Sequence, residues 1–117
     1  MPRRSEPDPL ALQIGLRIKA LREQAGLTLE KLAYESDLRS KGHLSSLEHG
    51  LVMPTVQTLQ RIAERLDVLV ADLVSIPARS ERETLLELSR HVPAGTLRRL
   101  TRDVSSAQRP SSAKRSR

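Results

Sequence analysis

The 117 residues are enough for one compact domain with appendages. Cys, Phe and Trp do not occur, which excludes a disulfide framework and a Cys-based metal site and leaves Leu, Ile, Val and Ala to build the core. The formal net charge is +6, but residues 10–77 carry eight basic and eight acidic groups and are neutral overall. The high basic content therefore says little about the central part of the chain.

The N-terminal segment predicts a disordered arm, residues 1–8, followed by a helix. The arm contains no periodic apolar residue. Asp8 and Pro9 form a typical helix start, with Asp as the cap and Pro in the first turn, and Gly26 ends the helix. Neither a signal peptide nor an apolar run of about 20 residues that could span a membrane is recognisable, so we expect a cytoplasmic protein. The apolar residues at helical spacing are Leu10, Ile14, Ile18, Leu21 and Ala25.

Two short helices joined by a tight turn are predicted between Thr28 and Gly50. The Thr28 hydroxyl is suited to cap the first helix and the Ser40 hydroxyl the second, and Gly50 stops the second helix. Leu44 and Leu47 are three residues apart and are expected in the core. The residues that this leaves on the outer surface are Lys41, Gly42, His43, Ser45, Ser46 and His49.

The outer face of the second of these helices suits the major groove of DNA. Its side chains are small and form hydrogen bonds, so the helix can approach the base edges closely. The helix N-terminus favours a phosphate, and Lys41 can donate to O6 and N7 of guanine. A solvated pair of helices in another all-α domain would show a similar face, so this stretch alone leaves both interpretations open.

The rest of the central segment predicts two more helices and no strand. Thr55 caps a fourth helix, residues 68–74 form a short fifth one, and Pro77 ends the unit. The apolar face of the fourth helix is predicted to contain Val56, Leu59, Ile62, Ala63 and Leu66. Residues 9–77 are thus predicted to form one all-α domain of five helices.

A helical extension is predicted over residues 78–104. Ser80 and Glu83 have the spacing of a capping box, and a basic amphipathic helix is expected from residue 97. The leucines of the extension exceed what two isolated helices can bury, so we expect a dimerisation element, with packing onto the fourth and fifth helices as the alternative. Residues 105–117 carry four basic groups and no acidic one, and we expect a disordered basic tail.

Several separated motifs together resemble the XRE family, the lambda-repressor and Cro-like helix-turn-helix domains. They cover roughly residues 12–74 and read IGLRIKALREQAGLTLEKLA, LSSLEHG, PTVQTLQRIAERLDV and DLV. The resemblance implies a compact five-helix DNA-binding domain whose third helix reads the major groove. It also implies binding as a dimer to a pseudo-palindromic operator.

The resemblance also implies roles for individual residues. Arg22 and Glu48, each next to a core leucine, are expected to form a buried ion pair that joins the first helix to the third. Arg17 and Lys19 on the first helix are candidates for phosphate contacts, with a plain solvated charge as the alternative. The DNA-binding residues carried over are Ser40, Lys41, Gly42, His43 and Ser46, with Ser45 and His49 at the margin, and Thr28 is a further DNA-binding residue.

The leading hypothesis is a bacterial or phage transcriptional regulator that binds double-stranded DNA as a homodimer, without cofactor, at the nucleoid. Repression and activation both remain open. The alternative is a protein-interaction module, an antitoxin or coregulator, that docks a protein partner through Leu51-Val52-Met53 or residues 80–104. We expect no enzyme and no metal site, since the Ser-rich helix has no nucleophile elbow and His43 and His49 lack further ligands at suitable spacing.

Overall fold

The computed structural model describes residues 6–38 and 40–108, which form seven helices and no strand. The all-α class predicted from the sequence is confirmed. None of the described helices is both long enough and apolar enough to cross a membrane. The helices are α1 (Pro9–Gln24), α2 (Leu29–Glu35), α3 (Lys41–Glu48), α4 (Val56–Leu66), α5 (Val70–Val74), α6 (Glu81–Ser89) and α7 (Ala94–Gln108).

One core holds the first five helices together. Helix α1 lies against α3 and α5, α2 lies against α3 and α4, and α4 lies against α5. The apolar faces predicted for α1 and α4 include residues that lie outside the core, because Leu10 and Val56 are 53% and 74% exposed. The buried cluster consists of Ile14, Ile18, Leu21, Leu27, Leu32, Ala33, Leu44, Leu47, Leu59, Ile62, Ala63 and Leu73.

Asp8 is the helix cap, as predicted, so the folded domain begins one residue earlier than the predicted boundary between residues 8 and 9. Its carboxylate accepts a hydrogen bond from the Ala11 N–H at 3.0 Å, as expected of an N-cap. Its own N–H donates to the carbonyl oxygen of Gly50 at 3.1 Å, which ties the start of α1 to the end of α3. Residues 1–5 of the predicted arm lie outside the described residues.

Helix α5 begins at Val70, two residues later than predicted. Asp67 has a φ of +57°, and this left-handed conformation ends α4. Leu69 is extended, and its N–H donates to Oδ2 of Asp72 at 2.8 Å, so the chain enters the helix only after this residue. Residues 68–69 are therefore a connection and not the first turn of α5.

The extension forms two helices, and neither α6 nor α7 contains a buried residue. Ser80 caps α6 by accepting from the Glu83 N–H at 3.2 Å, but the Glu83 carboxylate accepts from the Ile76 N–H instead of closing the predicted capping box. Helix α7 continues to Gln108, so residues 105–108, assigned above to a disordered tail, are helical. Residues 109–117, the rest of that predicted tail, lie outside the described residues.

Candidate nucleic-acid interface

Local hydrogen bonds define where α2 and α3 begin. The Thr28 hydroxyl accepts from the Lys31 N–H at 3.0 Å, and the Ser40 hydroxyl accepts from the His43 N–H at 3.1 Å. Asp37, in the turn between the helices, has a φ of +58°, a conformation that Asp tolerates better than most residues. The side chains of this segment itself therefore fix where each of the two helices begins.

Helix α3 presents one polar face to solvent. Leu44 and Leu47 are 0% and 1% exposed and anchor the opposite face in the core. Of the predicted DNA-contact residues in and around α3, Ser40, Lys41, Gly42 and His49 are exposed, and His43 and Ser45 are partly exposed. The prediction for this face is therefore geometrically possible for six residues in and around α3.

Lys41 is a basic side chain on this face. It is 58% exposed, and its Nζ lies 3.5 Å from Oε1 of Glu30, which is 73% exposed. Exposed pairs of this kind contribute only about 0–1 kcal/mol, so Glu30 does not prevent Lys41 from reaching a base or a phosphate. A Cβ added to the next residue, Gly42, would meet no atom closer than 3.7 Å, which leaves the backbone at this point accessible.

His49 offers an acceptor at the other end of the face. Its Nδ1 lies 2.7 Å from the carbonyl oxygen of Ser45. Because a carbonyl oxygen only accepts, Nδ1 carries the proton and donates, and Nε2 of the neutral ring is then an acceptor. An acceptor at this position matches the amino groups that adenine and cytosine display in the major groove.

Arg22 and Glu48 form the buried ion pair that the sequence predicts. Nε of Arg22 donates to one carboxylate oxygen of Glu48 at 2.7 Å, and Nη2 donates to the other at 3.1 Å. Nη1 donates to the carbonyl oxygen of Leu27 at 2.8 Å, so the pair also holds the turn between α1 and α2. The hydrogen bond from Arg22 to Glu48 raises the pKa of the Arg22 guanidinium, against the opposing effect of burial. The pair fixes the orientation of α3 on α1.

Ser46 does not lie on the exposed face, contrary to the prediction. It is 7% exposed, and its carbonyl oxygen accepts from the Leu51 N–H at 3.0 Å. Together with the bond from the Gly50 N–H to the carbonyl oxygen of Leu47 at 3.1 Å and the φ of +73° at Gly50, this bond ends α3 in a Schellman motif. The hydrophobic spacing of α3 did not reveal the burial of Ser46, because only Leu44 and Leu47 mark the core side of this helix in the sequence.

Arg17 is not available for the phosphate contact that was predicted for it. Its Nε donates to the carbonyl oxygen of Asp72 at 2.7 Å, and its Nη2 pairs with Glu87. Lys19 and Thr28 are exposed, as phosphate contacts from these positions would require. Of the two basic candidates on α1, only Lys19 is therefore compatible with a contact to DNA.

Comparison with known proteins decides the family of the chain. The helix-turn-helix family model matches residues 18–73. The transcriptional regulator SinR of Bacillus licheniformis is 35% identical over 75 residues, which are 63% of this chain and 67% of the relative. The chain belongs to the XRE family of helix-turn-helix transcriptional regulators.

Solved structures of XRE-family regulators support the same assignment. The structure of SinR in complex with DNA is 38% identical, with a TM-score of 0.51 over 53% of this chain and 98% of that one. The complex of the SinR and SinI proteins matches at 27% identity and a TM-score of 0.57, over 81% of this chain and 97% of that one. The second match covers more residues than α1 to α5 contain, so it includes part of the extension.

One structural requirement of the site in this XRE-family chain, Gly15, was not predicted from the sequence. A Cβ at this position would lie 2.2 Å from the carbonyl oxygen of Leu47 and 2.7 Å from that of Glu48. Such distances are impossible for a real Cβ, so only Gly lets α1 approach α3 this closely. A Gly inside a predicted helix, directly after the apolar Ile14, is the sequence signal that could have indicated the contact.

Proposed function

We propose that this DNA-binding regulator is a non-enzymatic repressor that inserts α3 into the major groove of a two-fold symmetric operator. The observation that supports this most strongly is the exposed polar face of α3 on a helix whose other side is held by two buried leucines and by the Arg22–Glu48 pair. A helix that is rigidly supported can place its side chains on base edges reproducibly. Repression requires only that the bound protein covers a promoter.

The N-terminal end of α3 carries the proposed base reading. Lys41 supplies donors that match guanine, Gly42 lets the backbone approach, and the Ser40 hydroxyl lies at the helix start, where a phosphate is favoured. His49 supplies an acceptor about two turns further along the helix. Lys19 and Thr28 flank this face as proposed phosphate contacts.

The shape and charge of the extension favour a second copy of the chain as the partner that binds it. A groove of about 590 Å³ runs between α6 and α7, and its apolar lining consists of Leu85, Leu86, Leu97, Leu100 and Val104. Helix α6 carries three acidic residues and one basic residue, and α7 carries three basic residues and one acidic residue. When a two-fold axis places α6 of one copy against α7 of the other, the charges are complementary on both sides of the axis.

Selection from a random DNA pool with the full-length protein tests the proposed function. We expect enrichment of a pseudo-palindrome whose half-sites lie about 34 Å apart, one helical turn. Failure to enrich any sequence would contradict DNA recognition by α3.

We place the protein in the cytoplasm of a bacterium, at the nucleoid, or in a cell infected by a phage that encodes it.

Sedimentation of full-length variants tests the dimer separately. Glu in place of Leu85 or Leu100, which are 63% and 44% exposed, should leave the monomer folded and dissociate the dimer. Val56→Glu is the matched control, because Val56 is 74% exposed but lies on α4, away from the groove. A dimer that tolerates both changes in the extension would show that another surface forms the interface.

A protein-interaction module is the second candidate function. The match to the SinR–SinI complex reaches beyond the DNA-binding domain, which favours a role of the extension in docking another protein. In that case the groove between α6 and α7 receives a helix of a different protein, and the DNA selection enriches no site. The two candidates therefore give opposite results in the same experiment.

A further inference from the structure

The contacts of Arg17 join the DNA-binding domain to the extension. Its Nε donates to the carbonyl oxygen of Asp72 in α5 at 2.7 Å, and its Nη2 forms an ion pair with Glu87 of α6. The side chains of Arg17 and Glu87 are 10% and 25% exposed, so water has little access to the pair. Charge-assisted hydrogen bonds have narrow geometry, and this pair therefore fixes where α6 lies relative to α1.

A second arginine reinforces this contact. Nη2 of Arg90 lies 3.3 Å from the other carboxylate oxygen of Glu87 and 3.4 Å from Oε1 of Gln24, at the end of α1. Burial by itself raises the pKa of Glu87, but the hydrogen bonds from Arg17 and Arg90 outweigh it and hold this pKa below its usual value. The carboxylate is accordingly ionised at neutral pH, and the network is complete under those conditions.

Apolar packing holds α6 only weakly: Leu86 is half-buried and lines a cavity together with Val68 and Leu69 of the DNA-binding domain. No residue of α6 or α7 is buried. The connection from α5 contains Pro77 and Ala78, and Ala78 has a φ of +68°, so no continuous helix transmits an orientation from one part to the other. Polar contacts remain, namely the network of Arg17 and the bond from the Ile76 N–H to Glu83 at 2.7 Å. The angle between the domain and the extension therefore depends on these contacts.

We propose that Arg17 is a positioning residue that sets the distance between half-sites which the dimer accepts. This inference rests on the proposed function, in which the extension joins two copies. Arg17 links α1 to α6. Helix α3 packs against α1, and α6 belongs to the proposed interface between two copies of the chain. Each base pair inserted between half-sites moves them apart by about 3.4 Å and rotates them by about 35°. A rigid connection between the DNA-binding domain and the extension cannot adapt to this shift and rotation of the half-sites, whereas a loosened connection can.

The test measures binding of the full-length protein to DNA duplexes whose half-sites, taken from the selection, are separated by the preferred spacing or by up to three base pairs more or fewer. We expect the wild type to prefer one spacing by about tenfold. Arg17→Gln should reduce this preference to about two- to threefold and leave binding to a single half-site within about twofold. Arg61→Gln is the control, since it removes one positive charge from an exposed position on α4 and should retain the wild-type profile.

Glu87→Ala breaks the same contact from the side of α6, where no contact with DNA is proposed. If Arg17 positions the domains, both variants show the same relaxed spacing profile. If Glu87→Ala keeps the spacing profile of the wild type, or if Arg17→Gln loses binding to a single half-site, the inference about Arg17 is overturned. Neither result would contradict the proposed dimer. A wild type that is monomeric in sedimentation and has no spacing preference would instead overturn the proposed dimer, and the inference with it.

Discussion

Replacing Glu48 by Ala should destabilise the domain by about 3–5 kcal/mol, because it leaves a buried guanidinium without its anionic partner. The Arg22 and Glu48 side chains are 11% and 3% exposed, so water does not substitute for the lost carboxylate. Two of the three hydrogen bonds that Arg22 donates end on Glu48. The loss is a large fraction of the about 5–15 kcal/mol by which a typical domain is stable.

Urea unfolding of the full chain, followed by circular dichroism, measures this loss. Arg22→Met combined with Glu48→Leu should recover much of the stability, because well-packed apolar groups replace a buried pair without a stranded charge. Glu30→Ala is the control, since it removes an exposed carboxylate whose pair with Lys41 contributes about 0–1 kcal/mol. A Glu48→Ala loss no larger than that of Glu30→Ala would refute the assigned role of the buried pair.

Three further changes test other parts of the structure. Gly15→Ala should lower the free energy of unfolding by about 1–3 kcal/mol, since the added Cβ would overlap the Leu47 carbonyl oxygen. Gly95→Ala is the control and should raise the free energy of unfolding by about 0.5–1 kcal/mol, because Gly95 is exposed in α7. Equal shifts of the melting temperature in the two variants would contradict the close approach of α1 and α3. Deleting residues 109–117, with four basic groups, should flatten the salt dependence of DNA binding and leave the preferred sequence unchanged, and an unaltered slope would exclude a contact with the tail. The pKa of Glu87 is lowered in the folded state. Its contribution to the free energy of unfolding is therefore present above about pH 4.3, the usual pKa of a Glu side chain, and is lost as the pH falls through the folded pKa. A Glu87→Gln variant with the same acid-unfolding profile as the wild type would contradict this.

Features that depend on neighbours in sequence could be predicted, because the interacting groups are only a few residues apart. The caps formed by Asp8, Thr28 and Ser40 each join a side chain to an N–H three residues later. The α3 leucines follow from helical spacing alone. The Arg22–Glu48 pair spans 26 residues and was accessible only because the chain resembles a family in which the first and third helices meet.

Features that depend on distant parts of the chain could not be predicted. Arg17 meets partners 55 and 70 residues away, and nothing in its own neighbourhood distinguishes it from exposed Lys19. Ser46 is polar and stands between predicted surface positions in the sequence, but it is only 7% exposed in the folded chain. The fold and most of the exposed face of α3 were thus accessible from the sequence, whereas the connection to the extension required coordinates.

The claim that α3 reads DNA sequence is tested most directly by comparing wild type and Lys41→Ala on the selected operator and on all its single-base variants. Lys41 is exposed at the start of α3, so its removal should not affect folding. We predict a loss of about 1–3 kcal/mol on the operator, with relaxed discrimination at one position of each half-site and little change elsewhere. An equal loss on every sequence would identify Lys41 as a phosphate contact, and full retention of affinity and specificity would contradict base reading by this end of α3.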